Sequence, residues 1–124
     1  MPTPPPITDA EWQVMTLLWE DAPRPAADLT AALADDPGWS ASTTKTLLGR
    51  LVKKGVVRTA ADGHRFLYRP AVTRDRCVRA EARGFIDRVF GGDAAQTAAH
   101  FIRIQRLTDK QRDELRRLLD DQER

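Results

Sequence analysis

Between Thr8 and Pro70 the chain is cut by its own punctuation into three helix-length segments and a pair of short strands, and that order constrains the fold most. Thr8-Asp9-Ala10-Glu11 reads as a capping box, in which a hydroxyl and a carboxylate satisfy the first backbone donors of a helix. Trp12, Met15, Leu18 and Trp19 follow at helical spacing, so a first helix is expected to about Glu20. Asp21-Ala22-Pro23-Arg24-Pro25 stops it, because proline removes a donor and fixes φ. A short second helix is expected from about Ala26 to Ala34, apolar at Ala26, Leu29 and Leu33, and ended by Pro37-Gly38. Ser40 or Ser42 can cap a third, which Gly55 terminates after Lys53-Lys54. Val56–Ala60 and Arg65–Arg69 read as strands, joined by Ala61-Asp62-Gly63-His64 with its Asp-Gly turn signal. Three helices and then a hairpin is the order of a winged helix-turn-helix.

Beyond Pro70 the pattern becomes helical throughout. Thr73 can cap a long helix to about Phe90, broken by Gly91-Gly92; a second runs from about Asp93 to Gln105, and Thr108 can cap a third reaching Gln122. The expected fold is therefore mainly α with a small β-hairpin: a winged helix-turn-helix over residues 7–71 and a three-helix domain over 72–124. Residues 1–6, Met-Pro-Thr-Pro-Pro-Pro, are expected to form a disordered Pro-rich tail. That start lacks the charged and apolar regions of a signal peptide, and no apolar run approaches the ~20 residues of a membrane span, so a cytoplasmic protein is expected.

Charge is segregated along the chain. Residues 1–38 carry seven acids against Arg24 alone, whereas residues 39–70 carry seven bases against Asp62 alone. Residues 71–124 are nearly balanced, with 12 bases and 10 acids. A concentrated cationic block inside an otherwise acidic or balanced chain points to a polyanionic partner, which the overall net charge of +2 would not reveal.

That block contains the third helix, whose faces can be sorted at 100° per residue. Leu47, Leu51, Thr44, Leu48 and Val52 share an arc of about 140°, which reads as the buried face. Ser42, Thr46, Gly49 and Lys53 lie opposite, flanked by Lys45 and Arg50. A solvated polar face would usually mix signs, yet no acid occurs from Trp39 to Ala61. Small residues suit close approach to base edges, while flanking cations reach phosphates. The candidate double-stranded DNA contacts are Ser42, Thr43, Lys45, Thr46, Gly49, Arg50, Lys53 and Lys54, with His64 and Arg65 at the hairpin tip. His64 reads equally well as a solvent-exposed turn residue, and Trp39 as a core plug or a backbone contact.

The last third carries much apolar surface for about 54 residues, and such a segment would be marginal alone. Phe85, Ile86, Val89 and Phe90 lie on its first helix, Phe101 and Ile102 on its second, and Leu115, Leu118 and Leu119 on its last. Pairing with a second copy buries these faces most simply; an intramolecular bundle packed on the winged helix is the alternative. A two-fold dimer also suits a palindromic DNA site.

An enzyme is disfavoured, since there is no Gly-rich phosphate loop, nucleophile–base constellation or metal-ligand spacing. No cofactor is expected, and no metal. Cys77 stands alone on an apolar-rich helix side and reads as a buried small hydrophobe. A winged helix used for protein contacts and a non-specific architectural DNA-binding protein are the remaining rivals. The acid-free face argues against the first.

The runs Ile7–Met15, Leu18-Trp19, Thr43–Gly55 and Phe85–Gly92, in this order and spacing, resemble the penicillinase-repressor (BlaI/MecI/CopY) family of winged-helix transcriptional repressors. The similarity extends from about Ile7 to Leu119. It implies a homodimeric repressor that binds operator dyads through the third helix and wing and dimerises through the last three helices. In the family's β-lactam branch, a membrane sensor-protease pathway leads to a cut within the dimerisation domain, commonly before a Phe preceded by Asn. His100-Phe101 stands at the matching place, with His where that branch has Asn. The copper-responsive branch carries Cys-x-Cys pairs near its C-terminus, and residues 119–124 contain none.

Overall fold

A computed structural model describes residues 3–122, which fall into two compact units, one reaching Ala82 and the other starting at Arg83. In the first unit, α1 (Asp9–Glu20) starts on a complete capping box: Thr8 Oγ1 accepts from the Glu11 N–H at 3.1 Å, and the Thr8 N–H donates to Glu11 Oε1 at 2.9 Å. The chain then passes through β1 (Arg24–Pro25), α2 (Ala26–Asp35) and α3 (Ala41–Lys53) to the hairpin strands β2 (Val57–Asp62) and β3 (Arg65–Pro70). Of the expected Pro-rich tail, residues 1–2 lie outside the described residues. Residues 3–6 join no helix or strand, and the Pro6 carbonyl accepts a hydrogen bond from Lys54 Nζ at 2.9 Å.

Val14, Met15 and Leu18 of α1 meet Leu29 and Leu33 of α2, Leu47, Leu48 and Leu51 of α3, and Val56 and Val57, and together they form the core. Each fully buried leucine stabilises this arrangement by about 1.5–3 kcal/mol. Trp39 and Trp19 pack against its edge, so the plug reading of Trp39 is the one its position favours. Trp12 and Trp19 meet edge to face at 5.4 Å, and the Trp19 indole N–H donates to the Val72 carbonyl at 3.0 Å. Val52, assigned by arc to the buried face, sits at its margin and is 36% exposed.

The antiparallel sheet has the order β1-β3-β2. Its edge strand β1 was read from sequence only as a helix stop. Two residues hemmed by prolines show no period, yet Arg24 pairs with Tyr68 and Pro25 with Leu67, and an edge strand tolerates a proline. The hairpin register places Asp62 opposite Arg65, so Gly63 and His64 form the turn and Asp62 ends its strand. Gly63 has φ +64°, the positive value a two-residue hairpin turn requires at its first position.

The helix α4 (Arg74–Phe90) follows, with Thr73 Oγ1 accepting from the Arg76 N–H at 3.2 Å. Cys77 is buried, and burial pushes its thiol up, partly offset by the Arg76 charge. In the second unit, Asp93 caps α5 (Ala94–Ile104) and a Thr108–Gln111 capping box opens α6 (Asp109–Asp121). Among the described residues no helix is long and apolar enough to cross a membrane.

Candidate nucleic-acid interface

The sequence of α3 divides cleanly between interior and exterior. Ser40 caps it, accepting from the Thr43 N–H at 3.1 Å. Thr44, Leu47, Leu48 and Leu51 are buried, and this anchors the helix on α1 and α2. Ser42, Thr43, Lys45, Thr46, Gly49, Arg50 and Lys53 are all exposed, so the fold gathers these expected contacts on one helix surface. Lys45, Arg50 and Lys53 take part in none of the ion pairs found among the described residues. Among the described residues no acid pairs with them, which leaves their charge available to an external anion.

Gly49 carries the sharpest information. It lies in the interior of α3, and a Cβ built there would meet no atom within 4 Å. Nothing in the fold therefore requires glycine. A helix-interior glycine costs about 1 kcal/mol relative to alanine.

Two expected contacts have partners of their own. Lys54 directs its ammonium to Glu11 Oε1 at 2.5 Å and to the Pro6 carbonyl. Arg65 pairs with Asp62 across the hairpin end at 3.2 Å, in an exposed position where such a pair is worth little and is easily exchanged for another anion. His64 is exposed in the turn beside it.

Glu11, the partner of Lys54, was read from sequence only as a helix cap. It is fully buried. Burial alone would raise its pKa, but the Lys54 ammonium and the hydrogen bonds from Thr8 outweigh this and hold it below the usual glutamate value. Sequence reasoning also passed over Phe66, 57% exposed near the hairpin end, and Arg58 opposite Arg69, a like-charged cross-strand pair. Only the strand register reveals that pairing.

The second unit gathers the other predicted group. Phe85 stacks on Phe101 at 5.9 Å, Phe90 meets both rings edge-on, and Phe90 and His100 lie 5.8 Å apart. Phe85, Ile86 and Phe90 are half-buried. Val89, Phe101, Ile102, Leu115, Leu118 and Leu119 are exposed. Phe101, Ile102, Leu107 and Leu115 help to line an apolar hollow of about 320 Å³. The His100-Phe101 bond lies inside α5.

The family model described as penicillinase repressor matches residues 7–121. A penicillinase repressor from Bacillus licheniformis is 26% identical over 94% of this chain and 91% of its own length. An uncharacterized 16.5 kDa protein from Latilactobacillus sakei is 35% identical over 77% of this chain and 66% of its own length. Among solved structures, the B. licheniformis BlaI monomeric form in complex with the blaP half-operator superposes with a TM-score of 0.55 and 32% identity, covering 61% of this chain and 93% of that one.

Proposed function

The chain belongs to the penicillinase repressor family, a family of DNA-binding transcriptional repressors rather than enzymes, and from that premise we propose how it works. It acts in the cytoplasm as a homodimer on a two-fold operator. Ser42, Thr43, Thr46 and Gly49 of α3 meet base edges, Lys45, Arg50 and Lys53 meet flanking phosphates, and His64 and Arg65 of the wing meet the adjacent backbone. The observation that carries this reading is the exposed, acid-free face of α3 with an unexplained glycine at its middle. Residues 7–71 bind DNA, and residues 72–124 join the two copies through the apolar surface of α4, α5 and α6.

Dimerisation turns two weak half-site contacts into one strong attachment, because the second contact becomes intramolecular. Cutting at His100-Phe101, in a β-lactam-type response linked to a membrane sensor-protease, would split α5 and divide the Phe85–Phe101 stack. The reading helix would stay intact while the linkage, and repression with it, was lost. Helical backbone must open before a protease can engage it, so the rate of cutting would track local unfolding of α5.

Binding isotherms across a salt series test the assignment of the reading face. The probes are a duplex recovered by the chain from a random pool and a scrambled duplex. Thr46→Ala should cost about 1–3 kcal/mol on the selected duplex and little on the scrambled one. Equal losses on both would show that the reading face lies elsewhere.

A further inference from the structure

Lys54 is the C-cap residue of α3, and its ammonium is turned inward. It reaches Glu11 Oε1, 43 residues earlier in the chain, and the Pro6 carbonyl, 48 residues earlier. The same Oε1 accepts the Thr8 N–H that opens α1, and the second carboxylate oxygen is buried with no hydrogen-bond partner among the described residues. One lysine thus fastens the end of α3 to the start of α1 and to the segment preceding it.

Stability alone is a poor reason for this arrangement. A buried ion pair seldom outperforms an apolar pair of the same volume, although removing one partner is costly because it strands the other charge. What such a pair supplies is direction. Aliphatic contacts between α1 and α3 constrain spacing well but tolerate repacking, and a helix can roll on them. A hydrogen-bonded ammonium at the helix terminus resists that rotation, and rotation decides which residues face outward.

We propose that Lys54 is a positioning residue: through Glu11 it fixes the rotation of α3 on α1, and so aims Thr46 and Gly49 at the base edges, without meeting a phosphate itself. The proposal rests on the reading of α3 as the DNA-recognition helix. It separates two adjacent lysines of the same charge, since Lys53 is exposed and outside every ion pair found among the described residues.

The experiment compares the selected and scrambled duplexes across a salt series, using the full chain. Lys54→Met strands the Glu11 carboxylate and could unfold the protein, so the informative variant is Glu11→Gln with Lys54→Met, which removes both charges and keeps a capping-box residue at position 11. This double variant should melt cooperatively, lose roughly tenfold in preference for the selected duplex, and keep the wild-type salt slope. Lys54→Arg, which retains the charge and its donors, should recover most of that preference. Lys53→Met should weaken both duplexes alike and lower the slope by about one ion. The proposal is overturned if the double variant selects as well as wild type, or if it reproduces the Lys53→Met pattern. A wild-type chain that selects no sequence would instead overturn the DNA-recognition reading beneath it.

Discussion

The two units bury their apolar residues to very different degrees. The first encloses ten aliphatic side chains, from Val14 to Val57, in a single cluster. In the second, Thr97 is the one buried residue among those described, while Ile104, Leu118 and Leu119 are 61–69% exposed. α1 and α3 in the first unit and α5 and α6 in the second all start on side-chain caps, so the contrast does not arise from local structure. It arises from where the apolar stripes point. The first unit has the interior of a domain that can stand alone, and the second presents the kind of surface that a partner covers. On the proposed reading, DNA contact and partnering fall to regions whose stabilities answer to different variables.

A charge on the uncovered surface should have the greatest effect. Leu118→Asp should leave α6 and the first unit folded but separate the two copies, lowering affinity for a two-fold operator on the order of a hundredfold or more. Sedimentation velocity beside operator binding checks it. A wild-type monomer at micromolar concentration would remove the basis of the contrast.

Equal truncations in the two regions should behave differently. Leu51→Ala empties part of a closed core and should cost about 2–5 kcal/mol whatever the protein concentration. Leu119→Ala should lower the melting temperature by an amount that grows on dilution, because its contacts belong to assembly. Thermal melts over a hundredfold range of concentration, a span that shifts a linked equilibrium by about 2.7 kcal/mol, separate the two behaviours.

Within the first unit, Gly49→Ala should move stability and function in opposite directions. Helix propensity predicts a gain of up to about 1 kcal/mol, since the added methyl meets nothing. Operator binding should fall several-fold because the methyl occupies the space that DNA needs. Loss of both would mean that Gly49 serves the fold after all. The smallest expected effect is in the hairpin, where Arg69→Thr relieves repulsion from Arg58 and should stabilise by roughly 0.2–1 kcal/mol in a chemical denaturation series.

What could be read from sequence was what physics decides locally. Thr8 with Glu11, Thr73 and Thr108 each cap the helix expected of them, because a cap is complete within four residues. The buried arc of α3 also followed from periodicity, except at Val52, whose burial depends on what stands beside the helix. The strand β1, the tie from Trp19 to Val72 and the Lys54–Glu11 pair were not legible. Each joins segments more than 40 residues apart and leaves no periodic trace. The Lys53-Lys54 pair shows the limit most plainly: identical neighbours in sequence, one facing solvent and the other committed to a buried carboxylate.

The placement of the tryptophans has an optical consequence. Trp12, Trp19 and Trp39 all precede residue 40, and the sole tyrosine, Tyr68, packs against the same core. The unit beginning at Arg83 contains only phenylalanine among its aromatics. Emission excited at the red edge of indole absorption therefore reports on the first unit alone, and the edge-to-face Trp12–Trp19 contact makes that signal sensitive to the loosening of α1. Far-ultraviolet ellipticity, in contrast, sums the helices of both. On heating an unlabelled sample, a lag between the two signals would time the melting of the C-terminal helices against that of the tryptophan-bearing unit.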